Sequence, residues 1–181
     1  MLFQEKTISL RDGRRAVLRS PTPSDAAEML DFLKTASGET EFLLRYPEEC
    51  FDDVKTEESF LDGIVTSGSQ VMILCQIDGR IAGNCHLSYK PLWKLRHRGE
   101  VAIALLREYW GLGIGTLLFE EMTALAKEMG LEQLELTYIE GNDRARGLYE
   151  KVGFREIARI PDAFRLKDGT MCKDIMMMKK L

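Results

Sequence analysis

Apolar and polar positions alternate over residues 7–10 and 16–19, on either side of Arg11-Asp12-Gly13-Arg14, and predict a β-hairpin. The period then lengthens. Ser24 suits an N-cap and Asp25 the positive end of a helix, and Ala26, Met29, Leu30 and Leu33 recur at helical spacing until Gly38. Residues 37–55, polar around Pro47, predict a loop. Thr56, Glu57 and Glu58 open a second helix whose stripe is Phe60, Leu61, Ile64 and Val65, closed by Ser67-Gly68. Strands at 71–77 and 81–89 meet across Asp78-Gly79-Arg80, the Asp-Gly pair being a favoured hairpin connection. A third strand, 101–106, follows the basic link 94–99. From Gly113, the residues Ile114, Leu117, Leu118, Met122, Leu125, Ala126 and Met129 keep a clean helical period that Gly130 stops. Residues 131–139 alternate as a strand, and Asn142 caps a short helix to Val152 with Gly153 behind it. Strands at 154–160 and 171–179, joined through Lys167-Asp168-Gly169-Thr170, complete the order.

That order is two strands, two helices, three strands, a helix, a strand, a helix and two strands. No repeat, low-complexity tract or linker interrupts it, so residues 1–181 are expected to form one mixed α/β domain. A chain of 181 residues with 45% hydrophobic content can bury a sizeable core. The net charge of -4 argues against nucleic acid, whose binders cluster excess Lys and Arg, and suits a cationic substrate better. No stretch approaches the roughly 18 apolar residues a membrane span needs. Residues 1–6 lack a secretory apolar region, so a cytoplasmic protein is expected. Cys50, Cys75, Cys85 and Cys172 form no C-x-x-C pair and, with two histidines in the chain, offer no zinc spacing; no metal is expected. Cys75, Cys85 and His86 read as core residues, and Met176-Met177-Met178 as buried strand.

The richest chemical signal is Glu108-Tyr109-Trp110-Gly111-Leu112-Gly113-Ile114-Gly115-Thr116, between a strand and the strongest helix. Alternate glycines let backbone approach a bulky anion, and the following helix aims free N–H groups and its positive dipole end at it. A nucleotide-kinase P-loop would need Lys after the last glycine, where Thr116 stands. A dinucleotide fingerprint would need G-x-G-x-x-G early in the chain, not G-x-G-x-G in its middle.

Downstream, the segment from Asn142 to Phe154 carries Asn142, Ala145, Leu148, Tyr149, Gly153 and Phe154 at the spacing Asn-x-x-Ala-x-x-Leu-Tyr-x-x-x-Gly-Phe. With the strand, turn and helix from Glu100 to Gly130, it resembles the GNAT superfamily of N-acetyltransferases over about 55 residues. The departure is Trp110, where the family commonly has Gln or Arg; main-chain N–H groups supply most of the cradle, and an aromatic leaves them in place. The resemblance implies a GNAT-like α/β (α+β) fold: a mixed, mostly antiparallel, twisted sheet flanked by helices on both faces. It implies acetyl-CoA as co-substrate, a primary amine of a small molecule or a peptide as acceptor, and a possible homodimer.

By the same resemblance, Leu105 and Leu106 end a strand that splays from its neighbour and pairs with the pantetheine arm. Main-chain groups of Trp110, Gly111, Leu112, Gly113, Ile114, Gly115 and Thr116 hold the pyrophosphate. Asn142 contacts the cofactor while capping its helix. Tyr149, seven residues on and on the same helix face, is the acid that meets the departing thiolate. An alkyl amine near pKa 10.4 must lose a proton before it attacks. Glu100 shares a strand face with Ala102 and Ala104 and is the candidate base, against a solvated strand-end Glu. The acceptor loops are placed at residues 37–50 and after Tyr89, where Glu39, Glu41, Glu48 and Glu49 could attract a cation and Arg45 and Tyr46 could hold a carboxylate. Direct attack in a ternary complex is expected, because no Cys lies in either motif. A non-catalytic acyl-CoA-binding module on the same fold is the alternative, and a dinucleotide-dependent oxidoreductase a weaker one.

Overall fold

The alternating and helical periods become eight strands and four helices in the computed structural model, which describes residues 2–50 and 52–181. Met1 and Phe51, the latter within the predicted 37–55 loop, lie outside the described residues. In chain order the elements are β1 (Lys6–Ser9), β2 (Arg15–Arg19), α1 (Ala26–Glu39), α2 (Val54–Thr66), β3 (Gln70–Ile77), β4 (Arg80–Tyr89) and β5 (Arg98–Leu105). They continue with α3 (Ile114–Glu128), β6 (Gln133–Ile139), α4 (Asp143–Lys151), β7 (Arg155–Arg165) and β8 (Met171–Lys180).

The helix starts differ from the sequence reading for a local reason. Ser24 lies inside a 3-10 turn, Pro23–Asp25, and Asp25 becomes the N-cap of α1. Its carboxylate accepts the Thr22 N–H at 2.7 Å and the Arg19 guanidinium at 2.6 and 2.8 Å, which ties α1 to β2. Likewise α2 begins before Thr56, because Asp53 takes the cap and accepts the Thr56 N–H at 2.9 Å. The β3–β4 connection is the two-residue turn read from Asp78-Gly79, both at positive φ (51° and 79°).

The strands form one sheet in the order β1-β2-β3-β4-β5-β6-β8-β7. Every neighbouring pair is antiparallel except β5–β6. Helices cover both faces. On one, Met29 of α1 meets Asn84 and Phe60 of α2 meets His86; on the other, α4 brings Tyr149 close to Cys85. Asn84 and His86 alternate with Cys85 on β4, as the period of two requires. The core sits on β3 and β4, where Ile73, Leu74, Cys75, Cys85 and Leu87 are fully enclosed. Burial pushes the Cys75 thiol up to about 12 and the Cys85 thiol upward too, so both stay protonated. His86, half-buried and 3.1 Å from Gln70, has its pKa lowered by desolvation, which favours the neutral ring. Met177 is buried, whereas Met176 and Met178 are half-buried on the opposite face. Among the described residues no helix is long and apolar enough to cross a membrane, and none of the His, Cys, Asp and Glu side chains group as a metal site.

Candidate active site

The parallel pairing of β5 with β6 lasts only from Arg98–Gln133 to Glu100–Glu135. β5 then runs on to Leu105 and β6 to Ile139 without pairing to each other. The two strands open into a gap that leads into a cleft of about 1190 Å3. On β5 the Leu106 N–H turns back to the Ala82 carbonyl of β4 at 3.0 Å. Alternation therefore points the main-chain groups of Val101, Ile103 and Leu105 into the gap. Those three residues line the cleft; Leu106 does not, and its side chain is buried in the core.

At the far end of the gap a 3-10 turn, Arg107–Tyr109, delivers the chain to the glycine turn and α3. Gly113 is the N-cap at φ 90°, a conformation in which any other side chain is strained, and no side chain caps this helix. The first bond into the helix is Leu117 N–H to Gly113 O. The N–H groups of Ile114, Gly115 and Thr116 therefore have no acceptor among the described residues, and they stand together at the positive end of a 15-residue helix. Gly115 serves a second need: a Cβ there would come within 2.8 Å of Leu148 Cδ2, so α3 and α4 approach through it. Cations ring this row of donors. Arg11 reaches over from the β1–β2 turn to Gly113, Lys151 Nζ donates to Thr116 Oγ1 at 3.2 Å, and Arg107 and Arg144 flank the Trp110 ring. A polyphosphate finds here both the donors and the positive charge it needs.

Asn142 caps α4, its Oδ1 accepting the Ala145 N–H at 3.1 Å, and it lines the same cleft. Two turns on, Tyr149 is 7% exposed, and its ring is fixed by Phe119 at 5.6 Å, Tyr138 at 5.8 Å and Phe154 at 6.3 Å. Its hydroxyl makes no hydrogen bond among the described residues, although the side chain lines the cleft. Burial pushes this phenol well above its ordinary value, with Cys85 and Tyr138 adding to the shift. It therefore enters any reaction at neutral pH as a proton donor.

Trp110, Gly111, Gly113, Ile114, Gly115 and Thr116 also line the cleft, while Leu112 packs partly buried against the core. Glu100 is brought less close. It sits third in β5, exposed, on the face of Ala102 and Ala104; both alanines line the cleft and Glu100 does not. The other wall comes from the chain after α1, Thr40, Glu41, Phe42, Leu43 and Leu44, together with Phe164 of β7. This wall is tied to the β7–β8 turn, where the Lys167 N–H donates to Tyr46 Oη at 3.2 Å and Lys167 Nζ pairs with Glu48. It is tied to the glycine turn by Arg107, whose N–H donates to Glu39 Oε2 at 2.6 Å. Arg11, Arg107, Arg144 and Lys151 were not singled out from sequence. The seven-residue spacing that joins Asn142 to Tyr149 also joins Arg144 to Lys151, so that pair was legible; Arg11 arrives through the sheet and had no local signal. Phe119, which braces Tyr149, lies four residues after Gly115 and was legible as well.

The model of the Acetyltransferase (GNAT) family matches residues 36–154. The chain is 29% identical over 101 residues to a Bacillus subtilis protein provisionally named ribosomal protein bS18-alanine N-acetyltransferase. That stretch covers 55% of this chain and 64% of the relative, so the chain spans less than two thirds of that relative's length. A solved GNAT-family acetyltransferase from Streptococcus pneumoniae superimposes with a TM-score of 0.87 at 30% identity, covering 92% of this chain and 99% of that one. An acetyltransferase from Salmonella typhimurium, solved with its cofactor acetyl-CoA, shares the fold with a TM-score of 0.79 at 16% identity, over 92% of this chain and 94% of that one.

Proposed function

This chain belongs to the Acetyltransferase (GNAT) family, and from that membership we propose that it moves acetyl from acetyl-CoA to a primary amine by direct attack within a ternary complex. The observation that carries the reading is continuity: uncapped N–H groups, a strand gap and an unbonded phenol line one cleft. Acetyl-CoA has a pyrophosphate, an extended amide-bearing arm and a thioester, which is what these three parts would engage. The N–H groups of Ile114, Gly115 and Thr116 would hold the pyrophosphate, with Gly111, Leu112 and Gly113 shaping the turn. Val101, Ile103 and Leu105 would offer main-chain groups to the arm, as an added strand uses a sheet edge. Asn142 borders the arm from α4.

The amine attacks the thioester carbon, the carbon–sulfur bond breaks, and the sulfur leaves with the bonding pair. Tyr149 meets that sulfur with a proton or a strong hydrogen bond. In water a phenol near pKa 10 gives up its proton to a thiolate near 8.5 at a cost of about 2 kcal/mol. Burial raises both groups, so the mismatch need not grow inside the cleft. On the acceptor side, Glu41 lines the cleft without an ion pair among the described residues, and Glu100 shares a face with Ala102 and Ala104. Either carboxylate could draw a proton from the amine through water. The wall of Phe42, Leu43, Leu44 and Phe164 suits an acceptor with an apolar group beside the amine. A peptide α-amine meets that description, and its pKa near 8 makes deprotonation about 3 kcal/mol easier than for a lysine side chain. The name of the Bacillus subtilis relative points the same way.

The test is thiol release from acetyl-CoA with a panel of short peptides, polyamines and small amines, each also run with Tyr149→Phe. Transfer to free α-amines that collapses in the variant is the expected result. Tight CoA binding with no transfer to any member of the panel would make the protein a binding module, and stabilisation by NAD but not CoA would move it to another class.

A further inference from the structure

Trp110 does more than pack. Its Nε1–H donates to the Leu105 carbonyl at 3.0 Å, the last carbonyl of the gap-facing row. That bond fixes the plane of the indole at the mouth of the anion cradle. Over the ring lies the Arg144 guanidinium, 4.5 Å from its centre, with Arg107 at 5.5 Å. The two arginines differ in what else they do. Arg107 is committed to Glu39, through both its N–H and its guanidinium. Arg144 has no carboxylate and no hydrogen-bond acceptor among the described residues; the indole face is its recorded partner. An exposed guanidinium would ordinarily sample many rotamers, and a planar aromatic face restricts it while leaving its N–H edge free. Arg144, Trp110 and the uncapped N–H groups line one cleft.

We propose that Trp110, locked by its hydrogen bond to Leu105, is the positioning residue that holds Arg144 over the glycine turn to bind a phosphate of the donor. The inference rests on the acetyl-CoA reading of the cleft. It gives a function to the position at which this chain departs from the common Gln or Arg: the N–H donors that such a residue would carry on its own side chain are here supplied from α4 and aimed by an aromatic ring. Trp110 itself touches no reacting atom.

The experiment is a double-mutant cycle on initial rates, run with acetyl-CoA and with S-acetylpantetheine, a donor with the thioester arm and no phosphate. Arg144→Ala should raise the KM for acetyl-CoA about tenfold in the parent protein, with kcat changed by less than about twofold. In a Trp110→Leu background the same change should add less than about twofold, because the guanidinium is no longer held. Trp110→Phe keeps a ring under Arg144 but loses the bond to Leu105, so the Arg144 contribution should fall between its values in the parent and the Trp110→Leu background. With S-acetylpantetheine, Arg144→Ala should move kcat/KM by less than about twofold, since no phosphate is present to miss it. An Arg144 effect of equal size in both Trp110 backgrounds overturns the proposal, and so does an equal effect with both donors. Should Trp110→Leu fail to fold by circular dichroism, the cycle runs through Trp110→Phe and Arg144→Lys; Lys keeps the charge but loses the stack, and full retention of KM in Arg144→Lys then overturns the proposal. Calorimetry with CoA separates the two levels: a parent protein that fails to bind CoA sinks the acetyl-CoA reading itself, whereas one that binds it without Trp110–Arg144 coupling sinks the positioning role alone.

Discussion

The two walls of the cleft are built from different materials. The donor wall, from β5 through the glycine turn to α3 and α4, presents mostly main-chain N–H groups held by helix geometry, with Gly113 and Gly115 allowing the turn and the close approach of α4. The acceptor wall, residues 40–44 with Phe164, presents side chains on a loop, and its polar ties run through two residues, Lys167 to Tyr46 and Glu48 and Arg107 to Glu39. The donor wall leaves the N–H groups of Ile114, Gly115 and Thr116 without an acceptor among the described residues. On α2, Glu57 is 6% exposed, its Oε1 has no hydrogen-bond partner among the described residues, and its charged form is opposed by burial and by Asp52. A backbone-built wall can keep one geometry through many sequences, while a side-chain wall changes whenever its loop does.

The largest effect tests the point where the walls meet. Tyr149→Phe should lower kcat about a hundredfold with CoA affinity unchanged, and a matching loss of affinity would show that the phenol serves donor binding and not proton transfer. Because burial holds this phenol above its ordinary value, the parent rate should rise with pH as the amine loses its proton. No falling limb should appear below about pH 10; one near neutrality would remove Tyr149 as the acid. Next comes Gly113→Ala, which forces a side chain to φ 90°. It should cost about 1–2 kcal/mol in denaturant unfolding and weaken CoA binding several-fold in calorimetry, leaving the acceptor KM alone. A raised acceptor KM would erase the independence of the walls.

Glu57→Gln should be stabilising. The folded state raises the pKa of this carboxyl, so its favourable contribution is complete below the unfolded value and is lost as pH rises through the folded one. The variant should gain about 1 kcal/mol over the parent at pH 7 in urea unfolding and nothing near pH 4, and equal stability at pH 7 would mean the carboxylate is satisfied after all. Smallest is Leu44→Ala. The side chain is 80% exposed, so stability should hold; the acceptor KM should shift by about two- to fivefold, with CoA affinity constant. An unchanged KM for every acceptor would take Leu44 out of the site.

This contrast also explains what the sequence disclosed. The order of strands and helices was legible because hydrophobic period, Asp78-Gly79 and Gly130 act locally. The donor wall was legible because Gly111, Gly113 and Gly115 in one motif, and Asn142 and Tyr149 in another, work at fixed short spacings. Boundaries slipped where two residues within one turn could cap, as with Ser24 against Asp25 and Thr56 against Asp53. Arg11 meets Gly113 only because the sheet brings the first hairpin beside the glycine turn. Phe164 lies past a register shift between Ile160 and Phe164 on a strand exposed along most of its length, so alternation alone could not show which way it faces.

The bond from Lys167 to Tyr46 joins positions 121 residues apart. On a ribosome adding about 5–20 residues per second, that distance is on the order of ten seconds of synthesis. Asn142 and Tyr149 emerge before Lys167 does, so a growing chain has the residues of its donor wall before the tie across its acceptor wall can form. On the proposed reading, selection among amines is thus a late acquisition of the nascent protein.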